Sequence, residues 1–330
     1  MMAALRDERA LGREARPSLG RRLLAMRELT LAVLVVLIML GMSQATPYFL
    51  TMSNFRASAI GLAPTAIIVI GMTVLLVSGA FDLSVGAVLA LSSTIVALMI
   101  TAGVPIWLSV LGALALGGAV GLVNGLIVTR LGVNPLVATL GTMSVARGVA
   151  LVLTEGFSVS NLPPAFGYIG SADWLGLPAI VWITLALVVA GDLALRHTRY
   201  LRQTYYIGGN EKAARLSGIP VDSVRCVAFV LTGVLAALAG VLLASRLMSG
   251  TPTAANALEL QVLAAAVIGG ASLRGGEGTV LGAFLGVIFV ALINNAMTML
   301  SVSIYWQMVA TGAVLVAAVA VDQIVRRPRR

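Results

Sequence analysis

The chain has 330 residues, 59% hydrophobic and 11% charged, with a net charge of +9 at pH 7 and a mean hydropathy of +1.01. Soluble domains carry roughly 25% charged residues, so a chain this apolar cannot hide its surface from water, and a large soluble helical protein is excluded. One cysteine, Cys226, and one histidine, His197, exclude an intrachain disulfide and argue against zinc or haem chemistry.

Residues 1–28 form a basic tail with seven arginines. The tail is long and mixed with acids, and a long apolar run follows, unlike a secretory signal, so a retained cytoplasmic tail is expected. Ten apolar runs then read as membrane-crossing helices: 29–46, 58–78, 83–101, 104–129, 133–153, 177–195, 225–244, 258–273, 278–300 and 303–323. The expected fold class is an all-α polytopic membrane protein. Residues 29–325 form one transmembrane domain, and 326–330 form a basic C-terminal tail.

An even number of spans puts both termini on one side. With the termini inside, the inner segments hold the seven tail arginines, Arg130, six Lys/Arg between 196 and 225, Arg274 and four arginines in "RRPRR". That is 19 of the 22 basic residues; Arg56 and Arg246 fall outside, and Arg147 within a span. Basic residues collect in cytoplasmic loops, so the net positive charge suits a membrane rather than a nucleic acid. Trp107, Trp174, Trp182 and Trp306 all fall near outer span ends, where amphipathic rings settle. Both termini and the loop 196–224 are therefore expected in the cytoplasm, and the loop 154–176 outside.

That inner loop contains "IGGNEKAARLSGIP" at 207–220, the most polar short stretch of the interior. Asn210 can cap a short helix that begins at Glu211. Its acid precedes its bases, as the helix dipole prefers. Gly218 suits a left-handed end, and Pro220 blocks continuation. Gly208 and Gly209 allow close backbone approach, while Ala213 and Ala214 leave a small face. Such a helix is either an ordinary surface feature or a docking site for a cytoplasmic partner.

Few residues offer chemistry within the membrane. Asp82 can cap the next helix through "DLS", with Ser84 helping, or can take a direct part in transport. Asn124, Asn134, Thr139, Asn294 and Asn295 fall within spans and need partners there. They are either interhelical glue or, with Asp82, candidates for a translocation path. "LGALALGGAVGLVN" at 111–124 echoes "LGAFLGVIFVALIN" at 281–294, which suggests an inverted repeat pairing spans two to five with seven to ten. A P-loop needs a Gly-Lys-Ser/Thr ending. The one lysine, Lys212, follows Glu211, so ATP hydrolysis of that class is not expected in this chain. A secondary transporter driven by an ion gradient is the rival, with Asp82 its one serious candidate. No nucleophile–base pair, metal set or cofactor motif suggests a membrane enzyme.

"GGNEKAARLSGI" resembles the coupling segment of permease subunits from ATP-binding-cassette importers of the ribose, arabinose and xylose type, in the branched-chain amino acid/ribose permease superfamily. "SGAFDLSVGA" at 78–87, "NPLVATLGTMSVARG" at 134–148, "AAAVIGGASLRGGEGTVLGAFLG" at 264–286 and "NNAMTMLSVSIYWQMVATGAVLVAAVAVD" at 294–322 resemble the same family. The likeness runs over nearly the whole chain after about residue 45. It implies a permease domain with the inverted-repeat plan of type II importers, in the bacterial inner membrane. It implies a permease homodimer among lipid, a cytoplasmic ATPase subunit with P-loops that holds the ATP and magnesium, and an extracytoplasmic sugar-binding protein. No cofactor in this chain and no nucleic acid are implied. Coupling falls to Gly208, Gly209, Asn210, Glu211, Ala213, Ala214 and Gly218, assisted by the loop 273–278. Nucleoside, polyol and other small-solute systems share the pattern. This chain departs from it in two places. Gln261 stands where the family often has an acid, and "SLRGGEG" brings Arg274 and Glu277 into the short loop.

Overall fold

The computed structural model describes residues 27–325. The basic stretches 1–26 and 326–330 lie outside the described residues. Ten long or medium helices correspond to the ten predicted runs: α1 (Arg27–Ala45), α2 (Met52–Val77), α3 (Val85–Thr101), α4 (Ile106–Thr129), α5 (Pro135–Thr154), α7 (Ala179–His197), α10 (Val221–Leu247), α11 (Leu258–Ile268), α12 (Val280–Met299) and α13 (Ile304–Val325). The short α6 (Pro164–Ser171) and a two-stranded hairpin, β1 (Asp173–Trp174) and β2 (Leu177–Pro178), lie between α5 and α7. Helices α8 (Arg199–Gly209) and α9 (Glu211–Leu216) lie between α7 and α10. Among the described residues, α2, α4, α5, α7, α10 and α12 are long and apolar enough to cross a bilayer on their own.

Helices α2 and α10 start a turn or more before their apolar runs. Helix α2 begins at Met52, because the Thr51 hydroxyl accepts from the Asn54 N–H at 3.3 Å and caps a polar first turn. Helix α10 begins at Val221, directly after Pro220 and with Asp222 in its first turn, where an acid complements the dipole. The expected span 258–273 is corrected. Helix α11 has 11 residues, about 16 Å at 1.5 Å each, against a hydrocarbon core of about 30 Å. It stops at Gly269 and gives way to a glycine-rich loop.

The chain reaches the start of α11 through a non-helical segment, 248–257, that lies along α3. Gly250 meets Ser93 and Thr94, and the Ala255 carbonyl lies against Gly86. Ala255 and Ala257 adopt left-handed conformations, with φ of 57° and 60°, which alanine rarely takes. Arg147 explains how this backbone is tolerated. Its Nη1 donates to the carbonyls of Pro252 at 2.9 Å and Ala254 at 2.7 Å. The one arginine that the sequence places inside a span thus supplies donors to carbonyls that no helix satisfies.

Helices α2 and α10 form the centre of the bundle and touch each other. Helix α10 packs on α3 and α4, just as α2 packs on α11 and α12. Helix α3 pairs with α4 and α5, just as α11 pairs with α12 and α13. The same pairings recur in α2–α5 and α10–α13, the two sets that the sequence echo matches. Small residues bring these helices close. Gly117, Gly121 and Gly125 of α4 sit against Gly233, Phe229 and Cys226 of α10.

One end of the bundle gathers the end of α2, the helices α8 and α9, the start of α10 and the loop 269–279. The other end gathers Arg56 paired with Asp173, the Val159–Gly250 bridge, and Ser245 Oγ, which accepts the Gly170 N–H at 2.8 Å. The four tryptophans lie at this second end, where Trp182 Nε1 donates to the Trp174 carbonyl at 2.8 Å.

Helix α11 meets α12 through Gly286, whose Cβ position is occupied by the Ala265 carbonyl. Gly286→Leu is expected to destabilise the bundle by roughly 1–3 kcal/mol through overpacking, read as a lower melting temperature in detergent. Gly41→Leu, at a position with open space around it, is expected to leave the melting temperature unchanged or raised.

Candidate functional site

The first candidate site is the α8–α9 unit. Thr198 caps α8, which ends at Gly209. The chain turns at Asn210, whose Oδ1 accepts the Ala213 N–H at 3.0 Å, so the expected cap is present. Gly218 takes the left-handed conformation, with φ of +80°. Ile207, Ala214, Val221 and Val224 form a small core beneath α9. The small face read from the sequence is therefore split: Ala213 is exposed and Ala214 is buried. Leu216 is 90% exposed. Nearby, Tyr206, Gly209, Asn210, Ala213 and Ser217 line an open groove of about 530 Å³.

Charge pairs fix this unit to the bundle. Glu211 bridges Arg215 at 3.1 Å and Arg225 at 2.9 Å, and Arg215 reaches Asp222 at 2.6 Å. Arg225 also donates to the Ser78 carbonyl at 2.9 Å, joining α9, α10 and the end of α2. Burial works to raise the Glu211 carboxyl, but the Arg225 and Arg215 donors outweigh it and hold it below the usual carboxylate range.

Backbone approach completes the attachment. Any side chain at Gly208 would run into the Val77 carbonyl and the Gly276 N–H. Gly276 N–H donates to that carbonyl at 2.8 Å, and the Tyr205 hydroxyl donates to the Gly278 carbonyl at 2.7 Å. Gly208 thus serves close approach to the chain's own backbone, whereas Gly209 faces open space. Asp192 accepts the Leu281 N–H at 3.1 Å and pairs with Arg196 at 2.6 Å, so α7 holds the start of α12. The sequence reading missed Tyr205, Asp192 and the double role of Arg225. Their signals, an aromatic pair and isolated charges at span ends, carry no spacing motif.

The path candidates divide. Asp82 is buried; its Oδ1 accepts from the Ser84 N–H at 2.7 Å and the Ser84 hydroxyl at 2.6 Å. Asn124, also buried, donates to Asp82 Oδ2 at 3.2 Å and to Ser84 Oγ at 3.0 Å. These three close on one another at the start of α3. Thr139 is buried and satisfied by the Pro135 carbonyl at 2.8 Å. Asn134 is exposed and caps α5 through the Leu136 N–H at 2.8 Å, so its expected place within a span is corrected. Asn295 exchanges hydrogen bonds with Asn54 at 2.8 and 3.1 Å. Asn294 and Asn295 line a cavity of about 310 Å³ between α2, α11 and α12, and Gln261 joins them there.

The family model for the branched-chain amino acid transport system / permease component matches residues 54–319. The chain is 41% identical over 298 residues to the ribose import permease protein RbsC of Bacillus subtilis, covering 89% of this chain and 91% of that one. It is 39% identical over 301 residues to RbsC of Escherichia coli K12, covering 90% and 94%. It is 37% identical over 284 residues to the L-arabinose transport system permease protein AraH of Escherichia coli K12, covering 86% and 87%. No solved structure matches the chain.

Two outcomes follow from the geometry. Asp82→Ala leaves the Ser84 and Asn124 donors without their acceptor and is expected to cost roughly 1–3 kcal/mol. Asp82→Asn retains an acceptor oxygen and is expected to cost less, both read from melting in detergent. The second concerns pH. Glu211 has a depressed folded value, so its contribution is fully present above the ordinary carboxylate pKa of about 4 and is lost as pH falls through the folded value. Hydrogen-exchange protection of the α9 amides, corrected for the intrinsic rate, is expected to hold down to about pH 4 and to fall as the pH drops below it, while that of α2 persists.

Proposed function

The chain belongs to the branched-chain amino acid transport system / permease component family, and on that premise we propose that it is the membrane subunit of an ATP-driven importer for a monosaccharide of pentose or hexose type. It is a multi-pass protein of the bacterial inner membrane. The observation that carries the reading is α9: a short capped helix, fastened to α2 and α10 and presenting Leu216, in a chain whose single lysine excludes a P-loop. The relatives named for ribose and arabinose import support the sugar. The ATPase, with its ATP and magnesium, is then a separate subunit that docks over α8–α9 from the cytoplasm. Its movement reaches α2 through Gly208 and Val77, α10 through Arg225, and α12 through the loop 273–278.

The remaining partners follow from the same reading. A sugar-binding protein delivers substrate at the opposite end, on the segment 154–178, and two copies of this chain make the permease. The 19-of-22 basic bias supports cytoplasmic termini. The ion-driven alternative draws little support, because Asp82 is engaged by Ser84 and Asn124 in a helix-starting turn.

Ala214 is unsuitable for testing the docking surface, since a larger side chain there would break the core beneath α9. Leu216→Asp alters an exposed side chain and leaves that core intact. It is expected to insert normally, to lose co-purification of the ATPase and to abolish sugar uptake. Normal docking and uptake would make α9 an ordinary surface helix. For orientation, on a Cys226→Ser background, an impermeant thiol reagent applied from outside is expected to label Ala165→Cys and to miss Lys212→Cys. Labelling at 212 would invert the topology.

A further inference from the structure

The cavity between α2, α11 and α12 has a shape that follows from residue size. Along α11, Gln261, Ala265 and Gly269 recur every fourth residue, as do Gly282, Gly286, Val290 and Asn294 along α12. Residues four apart share a helix face. Gly269 meets Gly282 and Ala283, and Gly286 meets Ala265, so the two helices touch through small residues at one end. Toward the other end the facing positions become Gln261, Val290 and Asn294, and the cavity opens there, walled on the third side by Gly61, Thr65 and Ser58 of α2. The small-residue contacts lie toward α8–α9, and the cavity lies on the side of the tryptophan-bearing end.

Its lining has unfilled hydrogen-bonding capacity. Ser58 Oγ has no partner but is sealed behind the wall, so the capacity that faces the space lies elsewhere. Among the described residues, the side chains of Thr65, Gln261 and Asn294, which line it, make no hydrogen bond within the protein. Polar groups in a bundle core normally find one. Among the described residues, none that lines the crevice is ionisable. Its volume of about 310 Å³ lies at the lower end of the range for small-ligand sites, ~300–1,000 Å³. A zwitterion or carboxylate would enter such a lining without a charge partner. A neutral polyhydroxyl compound would supply both donors and acceptors to amides and hydroxyls.

We propose that this crevice is a substrate site on the import path, in which Thr65, Gln261 and Asn294 hydrogen-bond the hydroxyls of an uncharged sugar. The proposal rests on the importer reading and adds the place and the charge class of the solute. Gly61 offers a direct test, because its Cβ position is open space. Gly61→Phe projects a ring from an unobstructed Cβ at the crevice wall, and Gln261→Leu removes its amide. In proteoliposomes holding the complete importer, with the binding protein outside, both variants are expected to lower uptake of labelled ribose by roughly tenfold or more. Binding-protein-stimulated ATP hydrolysis is expected to continue, and Gly41→Phe on α1 is expected to behave as wild type. A second readout does not need transport. On a Cys226→Ser background, Gly61→Cys is expected to react with a hydrophilic maleimide applied outside, and millimolar ribose is expected to slow that reaction. Uptake within twofold of wild type in both variants, or a thiol at 61 that is unreactive or indifferent to ribose, overturns the crevice while leaving the importer reading intact. A wild-type complex that carries labelled leucine and no ribose overturns both.

Discussion

A backbone carbonyl in hydrocarbon without a donor costs several kcal/mol, and this constraint decides where the helices of the protein can stop. Most helices cross the body and end at its surfaces. Two interruptions fall among packed helices instead, at 78–84 before α3 and at 248–257 before α11. Each is furnished with polar groups from elsewhere in the chain. Arg147 donates to the carbonyls of Pro252 and Ala254. Asp82, Ser84 and Asn124 close on one another at the first interruption, and Arg225 donates to Ser78. The buried polar residues that first suggest a transport path are, in these cases, what makes a broken helix tolerable in a dry interior.

With the breaks satisfied, side-chain size sets how closely the helices approach. Glycine faces on α4 and α12 let α10 and α11 come into backbone contact, since without them a carbonyl would occupy the place of a side chain. Replacing small residues by larger polar ones along the same face separates the helices again. The α11–α12 pair does both over three turns, and so makes a tight seam and a crevice from one register. The first half of the repeat takes a different course. Asn124, which the echo matches to Asn294, is committed to Asp82 and Ser84 rather than to open space. The repeat is therefore alike in its helix pairings and unlike in its polar chemistry, which leaves one half to brace the fold and the other to offer free amides.

Much of this was legible in the sequence, because hydropathy and helix caps are local. The ten apolar segments, the Asn210 cap and the left-handed Gly218 follow from neighbours within a few residues. What failed was long-range. A glycine-rich apolar run at 258–273 reads as a span by composition, yet only a partner helix reveals that the chain enters it partway through the body. Ala213 and Ala214 look equivalent in sequence, and the fold buries one of them against Ile207 and Val224. Gln261 departs from the family pattern in sequence, but its relation to Asn294 depends on the α11–α12 register, which no single segment encodes.

The two candidate sites are linked through α2. This helix has 26 residues, about 39 Å in length, and is the most buried of the long helices. One end is held where Val77 meets Gly208 and Gly276, and the other lines the crevice with Ser58, Gly61 and Thr65. Pro64 lies between them. Proline lacks the N–H that would bond to the carbonyl of Ile60, four residues earlier, and its ring crowds that turn. Bending therefore costs least at the floor of the crevice, while residues 66–77 stay locked in the core. A displacement applied at Gly208 acts on a stiff inner half and meets its first weak rung beside Thr65. On the proposed reading, the coupling site at Gly208 and the solute site beside Thr65 are joined by one helix, packed in its inner half and missing a backbone hydrogen bond at Pro64, so that a shift at one has a direct route to the other.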